Sequence, residues 1–191
     1  MNKPMYIQEI ENYKPVNEQE EKDKETILKY AKTFDDILLR TNEFGHITSS
    51  SWIVNKERTK CLLIYHNIYD AWTWTGGHAD GDSDLLGVAI REAEEETGVH
   101  ATPITKEIVC LDILPVWGHV KNGKWVSTHN HLSVAYLLEA DENEPIRKKE
   151  DENKGVKWVP IENVLTTCRE VEMHPVYIKL NNRIKEYSSK N

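Results

Sequence analysis

The sequence has few cysteines and no excess of positive charge, and each shortage excludes a class of protein. Its three cysteines, Cys61, Cys110 and Cys168, are odd in number and widely spaced. They form neither a disulfide framework nor a zinc motif, so we interpret them as reduced core thiols. The net charge is −8, with acidic and basic residues interspersed. A broad basic surface for a nucleic-acid polymer is therefore not expected.

Long apolar runs are also missing. No stretch approaches the roughly 20 apolar residues that a membrane span needs, and residues 1–17 lack the apolar core of a signal peptide. We therefore expect a soluble, cytoplasmic protein with no membrane partner.

The length and composition predict one compact domain with additions, because 191 residues with 39% hydrophobic content can bury a substantial core. Residues 18–40 carry apolar side chains at the three-and-four spacing of an amphipathic helix: Ile27, Tyr30, Ala31, Phe34, Ile37 and Leu38. We divide the chain into an N-terminal extension with this helix, residues 1–44, and a main domain, residues 45–191. The apolar stripe packs either on the same chain or on a second copy in a homodimer.

The main domain shows short β-type runs around one strongly helical segment. Strands are predicted in "ITSSSWIVN", "KCLLIYH", "AWTWT", "EIVCLDIL", "WVSTHNHLSVAYLLEA" and "GVKWVPI". The fourth and fifth runs are expected to face each other across a turn at residues 121–123. Residues 139–155 form a polar loop, and a last helix is predicted near residues 176–187. This order is mixed α and β without regular βαβ alternation.

The segment "REAEEETGV", residues 91–99, belongs to a helix that should begin at "GDSD", with Asp82 or Ser83 as the cap, and end at Gly98. At about 100° per residue, the apolar side chains of residues 85–93 define a buried arc. Glu92 and Glu96 lie at the edge of that arc, whereas Glu94 points to solvent.

Carboxylates at the edge of a core repel one another and lose hydration unless a cation compensates them. An ordinary solvated charged face is the alternative, but it accounts poorly for Glu92 and Glu96. Oxygen ligands without a histidine or cysteine in register favour Mg²⁺ or Mn²⁺. Such an ion suits hydrolysis of a phosphoanhydride by water.

The same residues resemble the Nudix box, G-x5-E-x7-R-E-U-x-E-E-x-G-U, at residues 77–99: Gly77, Arg91, Glu92, Ala93, Glu95, Glu96, Gly98 and Val99. This resemblance implies the Nudix α/β/α sandwich with a mixed sheet. It also implies a metal site made of Glu92, Glu95, Glu96 and the carbonyl oxygen of Gly77. Glu95 or a loop glutamate would then deprotonate the attacking water.

One position departs from the box, because Ser83 stands where the family has its first glutamate. In the family that glutamate commonly pairs with the arginine equivalent to Arg91. Here Asp80, Asp82 or Asp84 could replace it, and Ser83 itself could serve as a helix cap.

Further polar and aromatic residues are candidates for the site. His129 and His131 share one face of a predicted strand, so they either contact a phosphate or base or have a structural role. Glu152 lies in the loop where some Nudix enzymes carry a catalytic or ligand glutamate, although a solvated acidic loop would look the same. Trp74 could stack on a base, as could Trp72, Trp117 and Trp125, or belong to the core.

These features predict a Mg²⁺- or Mn²⁺-dependent Nudix pyrophosphohydrolase. Its substrate would be a small molecule in which a nucleoside diphosphate is linked to another group. One alternative is a Nudix-derived sensor that binds a nucleotide without turnover. Another is an isopentenyl diphosphate isomerase-like enzyme, but the catalytic cysteine motif that this resemblance requires is not found beside Cys61 or Cys110.

Overall fold

A computed structural model describes residues 3–121 and 123–188 of the chain. The main elements are α1 (Met5–Asn12), α2 (Glu18–Thr33), β1 (Gly45–Val54), β2 (Lys60–His66), β3 (Ala71–Thr73), β4 (Thr75–His78), α3 (Leu85–Thr97), β5 (Thr102–Pro103), β6 (Cys110–Val116), β7 (His119–Lys121), β8 (Lys124–Val126), β9 (His129–Glu139), β10 (Asn153–Pro160), α4 (Val164–Thr167) and α5 (His174–Ser188). Short 3₁₀ segments precede α4 and α5.

An eight-stranded mixed sheet forms the centre of the fold, with β10, β2, β1, β9 and β5 in that order. Strand β3 pairs with β2, β4 pairs with β1, and β6 pairs with β9. The long β1–β9 pair is parallel, from Gly45 opposite Asn130 to Val54 opposite Glu139. The remaining pairs of this sheet are antiparallel within the described residues.

Both faces of the sheet are covered, and all ten residues of β1 are buried. Because side chains alternate along a strand, Ile47 and Ile53 enter one hydrophobic cluster, whereas Trp52 and Val54 enter the other. Helices α1, α2 and α3 contribute to the first cluster, and α5 contributes to the second. This arrangement confirms the predicted α/β class with helices on both sides of a mixed sheet.

The N-terminal segment packs on its own chain. Ile10 of α1 and Ile27 of α2 are fully buried in the first cluster. The predicted helix over residues 18–40 is too long, because α2 ends at Thr33, and α1 was not predicted. The few apolar residues of α1 stand among polar neighbours. This eight-residue pattern is too short to distinguish a helix from a loop.

A buried ionic network joins α2 to the opposite side of the fold. Glu20 is fully buried and accepts a hydrogen bond from the hydroxyl of Tyr13 at 2.6 Å. Lys179 of α5 lies 3.0 Å from Glu20 and 2.5 Å from Asp112 of β6. Lys179 therefore offsets part of the negative charge of the two buried carboxylates.

The predicted hairpin between the fourth and fifth β-type runs is confirmed as the β6–β9 pair. Beyond it, β7 and β8 form a separate two-stranded ribbon. Asn122, in the predicted turn of residues 121–123, lies outside the described residues. The final helix is confirmed as α5.

Two further expectations concern the cysteines and membrane-spanning helices. All three cysteines are buried and free, as predicted. Across residues 3–121 and 123–188, every helix is too short or too polar to span a bilayer.

Helix α3 begins one residue later than the predicted caps allow. Its cap is Asp84, whose Oδ1 atom accepts a hydrogen bond from the amide of Gly87 at 3.0 Å. Asp82 accepts instead from the amide of Asp84, also at 3.0 Å. The prediction of Asp82 or Ser83 as the cap was therefore wrong, whereas the end at left-handed Gly98 is confirmed.

We expect Asp84→Ala to lower the free energy of unfolding by about 1 kcal/mol, because an amide of the first turn of α3 loses its acceptor. Ser83→Ala is the matched control and should change it by no more than about 0.5 kcal/mol. Urea titration of both variants measures the difference. A larger loss in Ser83→Ala than in Asp84→Ala would contradict this assignment of the cap.

Candidate active site

The carboxylates of α3 meet the β4 backbone at one end of the helix. Glu96 is 2% exposed, and its Oε2 atom accepts a hydrogen bond from the amide of Gly76 at 3.0 Å. A Cβ atom at Gly77 would overlap the Glu92 carboxylate. Glycine at this position therefore lets the strand backbone approach the acidic face of the helix directly.

The loop between β9 and β10 brings a fourth carboxylate to this place. Lys149 pairs with Glu95 at 2.8 Å and with Glu152 at 3.0 Å. Glu152 also lies close enough to raise the pKa of Glu92 and Glu96. Glu92, Glu95, Glu96 and Glu152 thus converge, although they come from two separate parts of the sequence.

Burial and mutual repulsion destabilise the ionised carboxylates of this cluster. Burial raises the pKa of Glu96 to about 8; the Gly76 amide opposes that change, while Glu92 and Glu152 reinforce it. Burial also raises the pKa of Glu92, with Glu152 and Glu95 adding to the effect. A hard divalent cation would relieve both costs, and the clustered carboxylate oxygens fit such an ion.

Arg91 finds its partner in the loop before α3. Its guanidinium lies 3.4 Å from the carboxylate of Asp82, and both side chains are nearly half exposed. Asp80 pairs with Arg40 instead, and Asp84 caps the helix. Of the three aspartates considered as substitutes for the missing box glutamate, Asp82 is the one that meets Arg91.

A pocket of about 350 Å³ opens beside Arg40 and His46. It is lined by residues of β1, β2, β4, β6, β9, the β7–β8 ribbon and neighbouring loops: Arg40, Glu43, His46, His66, Ile68, Tyr69, His78, Val116, His119, Lys121, Trp125, Val126, Ser127, His129 and His131. Asp80 raises the pKa of Arg40, and so do Glu92 and Glu152. Arg40 therefore lies within electrostatic reach of both the pocket and the acidic cluster.

Four histidines meet on one wall of this pocket. The ring centroid of His131 lies 5.3 Å from that of His129, 5.5 Å from that of His46 and 4.9 Å from that of His78. Burial lowers the pKa of His131 to about 2 and that of His78 to about 3, so these rings are uncharged near neutral pH.

Sequence reasoning proposed His129 and His131 but missed His46 and His78. The parallel register places His46 opposite His131, and the β1–β4 register places His78 opposite Thr48. The sequence does offer one signal that His78 belongs to the site, because this residue directly follows Gly77 of the box. The contribution of His46 depends on a pairing between strands that lie far apart in the chain.

The aromatic residues divide between core and surface. Trp74 is 9% exposed and packs against Tyr177 in the second hydrophobic cluster. It does not line the pocket, and this position gives no support to a role in substrate stacking. Trp125 lines the pocket and is 69% exposed.

Comparison with known proteins identifies the class to which this fold and site belong. Residues 45–180 match the family model described as the NUDIX domain, and the chain belongs to that family. The Nudix resemblance of residues 77–99 is thereby confirmed.

Two curated relatives are pyrophosphohydrolases by name. An RNA pyrophosphohydrolase of Pelagibacter ubique is 26% identical over 119 residues, covering 60% of this chain and 75% of the relative. A probable DHNTP pyrophosphohydrolase of Lactococcus lactis subsp. cremoris is 34% identical over 97 residues, covering 50% of this chain and 55% of the relative. The expected enzyme class, a Nudix hydrolase that acts on phosphoanhydride bonds, is confirmed by the family match together with these relatives.

A solved structure agrees on the fold. The Ap4A hydrolase of C. elegans, in a binary complex, superposes with a TM-score of 0.54 at 20% identity, covering 73% of this chain and 98% of that one.

The raised pKa of Glu96 makes the metal-free protein sensitive to pH. Between the usual carboxyl value of 4.5 and the folded value of about 8, Glu96 is protonated in the folded state and ionised in the unfolded state. A rise in pH through this window therefore favours unfolding, on the order of a few kcal/mol in total.

We expect the stability of the wild-type protein in EDTA to fall between pH 5 and pH 8 by more than that of Glu96→Gln, which lacks the titrating carboxyl. Glu94→Gln is the control, because Glu94 is 47% exposed and should leave the fall intact. Urea unfolding at several pH values measures this fall in the free energy of unfolding. Equal pH dependence in the wild type and Glu96→Gln would show that Glu96 does not carry the effect.

Proposed function

We propose that this protein hydrolyses, with Mg²⁺ or Mn²⁺, the phosphoanhydride of a small molecule in which a nucleoside diphosphate is linked to another group. The observation that carries the proposal is the convergence of Glu92, Glu95, Glu96 and Glu152, within electrostatic reach of Arg40 in the wall of an open pocket. Four carboxylates around one lysine carry excess negative charge, which a divalent ion bound to substrate phosphates would neutralise.

The residues of α3 would hold the ion. Glu92 and Glu96 supply buried carboxylates, Glu95 supplies one from the exposed edge, and the Gly77 carbonyl supplies a further oxygen. When bound, the ion activates water and offsets charge on the phosphoryl group. The hydrogen bond from the Gly76 amide holds the Glu96 carboxylate in place for this task.

A proton acceptor is needed for the attacking water, and two glutamates qualify. Glu95 and Glu152 share Lys149 and reach the same place from the helix and from the loop. Either one can take the proton at a carboxylate oxygen. Arg91 would steady the preceding loop through Asp82, so we assign it a positioning role.

The pocket provides the features that such a substrate requires. Arg40 and Lys121 can pair with phosphate oxygens, and the exposed indole of Trp125 can stack on a base. His129 and His131 line the same wall, which keeps them as candidate substrate contacts. The names of the relatives extend the substrate panel to RNA and to DHNTP, although the net charge of −8 favours a small molecule over a polymer.

Lys149 supports a second candidate function. Its ammonium already occupies the space between Glu95 and Glu152, where it supplies the cluster with a built-in positive charge. If a metal ion cannot displace it, the protein would bind a nucleotide without turnover, as a sensor.

A substrate panel with Mg²⁺ tests the hydrolase. It should contain nucleoside triphosphates, dinucleoside polyphosphates, ADP-ribose, nucleotide sugars and the two compounds suggested by the relatives. We expect turnover of at least one member with Mg²⁺ or Mn²⁺ and none in excess EDTA. With that substrate, Glu96→Gln should lower kcat at least about a hundredfold, on the scale of lost electrostatic stabilisation.

Glu94→Gln is the matched control for this experiment, because it changes the same residue type two positions away on the solvent side. Its kcat should stay close to the wild-type value. If both variants retain wild-type turnover and metal affinity, the glutamate run is only a solvated face.

A separate prediction concerns Lys149. Lys149→Met removes the competing positive charge, so we expect Mg²⁺ to bind the variant several-fold more tightly, as measured by calorimetry. Lys148→Met is the control, because Lys148 pairs with exposed Glu150 outside the cluster. Weaker binding in Lys149→Met would contradict the proposed competition. Mg²⁺ binding to Lys149→Met but not to the wild type would favour the sensor.

A further inference from the structure

The histidine wall of the pocket contains a second group of metal-ligating atoms, apart from the carboxylates of α3. His46, His129 and His131 each offer a ring nitrogen, and these three atoms all lie within 4.8 Å of one another. We propose that these three histidines bind a transition-metal dication of the Zn²⁺ class, and that the pocket supplies the remaining coordination position.

The backbone fixes the three rings relative to one another. His46 and His131 are direct partners in the parallel β1–β9 pair, and His129 lies two residues earlier on β9, on the same face. The arrangement is therefore set by the first residues of two paired strands and does not depend on a loop.

Hydrogen bonds select the nitrogen atom that would face the metal. Nδ1 of His46 contacts the carbonyl oxygen of Asn42 at 3.0 Å, and Nδ1 of His129 contacts that of Ser127 at 2.8 Å. Because a carbonyl oxygen only accepts, Nδ1 carries the proton in both rings. In the neutral ring Nε2 then has a free electron pair, and backbone carbonyls orient metal-binding histidines in this same way.

The free nitrogens are buried without partners. Nε2 of His46 and Nε2 of His131 are inaccessible to solvent and have no hydrogen-bond partner among the described residues. His46 as a whole is only 4% exposed. Burying an unpaired acceptor is unfavourable, and a metal ion on these nitrogens would remove that cost.

The donor set distinguishes this group from the carboxylate cluster. Imidazole nitrogens favour Zn²⁺, Co²⁺, Ni²⁺ or Cu²⁺, whereas carboxylates favour Mg²⁺ and Mn²⁺. Tetrahedral Zn²⁺ with Zn–N bonds of about 2.0–2.1 Å needs nitrogens roughly 3.4 Å apart. Since the three ring nitrogens lie within 4.8 Å of one another, they would have to approach by no more than about 1.4 Å to close around an ion.

The fourth coordination position would face the cationic part of the pocket. Arg40 and Lys121 line this pocket, so an anionic group bound to the metal would also meet a positively charged side chain. Three protein ligands with one open position are typical of zinc sites that bind a substrate or water.

Titration of the full-length protein with Co²⁺ in millimolar Mg²⁺ tests this site, because Mg²⁺ saturates the oxygen ligands and Co²⁺ reports its coordination by colour. We expect one equivalent of Co²⁺ to give the intense visible absorption of a four-coordinate ion, and Zn²⁺ to displace it. His46→Gln and His131→Gln should weaken Co²⁺ binding at least about a hundredfold, since loss of an outer-shell partner alone costs about 10–100-fold.

Two control variants separate this site from its surroundings. His119→Gln removes a histidine of the same pocket outside the group, and Glu96→Gln alters the carboxylate cluster. Both should keep the four-coordinate spectrum, so the result does not depend on hydrolase activity. Loss of that spectrum in Glu96→Gln would place the ion on the carboxylates and overturn the proposal.

Absence of four-coordinate absorption in the wild type would also overturn the proposal, and this measurement needs no variant to fold. Circular dichroism of the histidine variants shows whether each one is folded. Unchanged Co²⁺ affinity in folded His46→Gln and His131→Gln would equally exclude the site.

Discussion

The parallel pairing of β1 with β9 is the constraint on which the rest of the structure depends. It joins segments about 85 residues apart in sequence, and it buries β1 on both faces. Strand β4 pairs with the same β1, which brings Gly76 and Gly77 against the acidic side of α3. The histidine wall and the carboxylate cluster are therefore positioned by one strand.

Charge is distributed unevenly around that strand. On one side, Glu92 and Glu96 are held in poor contact with water, and the nearest cation, Lys149, engages Glu95 and Glu152. On the other side, the imidazoles of His78 and His131, whose pKa values are lowered by burial, line a pocket that also contains Arg40 and Lys121. Arg40 connects the two sides, because it lines the pocket and its pKa is raised by Asp80 and further by Glu92 and Glu152.

The sequence predicted the parts of the site that depend on local spacing. Glu92 and Glu96 lie at the buried edge of α3 as the helical period requires, and Glu94 is about half exposed. The helix end at Gly98 was predicted for the same reason. The cap was not, because Asp82, Ser83 and Asp84 have equivalent chemistry and only the three-dimensional path of the loop selects Asp84.

These local patterns do not predict contacts between segments that lie far apart in the sequence. The roles of His46 and Lys149 depend on strand register and on the path of the loop between β9 and β10. Trp74 illustrates the same difficulty, because tryptophan on a strand can face either a core or a pocket, and the β3–β4 connection places this one against Tyr177. The N-terminal segment was recognised as amphipathic, but Glu20, a buried charged residue that helps to anchor α2, could not be distinguished in the sequence from the other charges of a polar run.

The Glu20–Lys179–Asp112 network makes the two ends of the chain mutually dependent. Detaching α2 would remove Glu20, one of the two carboxylates that Lys179 contacts, and detaching α5 would leave buried Glu20 and Asp112 without the cation they share. Breaking a buried ion pair by removing one partner typically costs about 3–5 kcal/mol. Helices α2 and α5 are therefore expected to open together with the sheet in one cooperative transition, so that a partly unwrapped form with α2 detached would be rare.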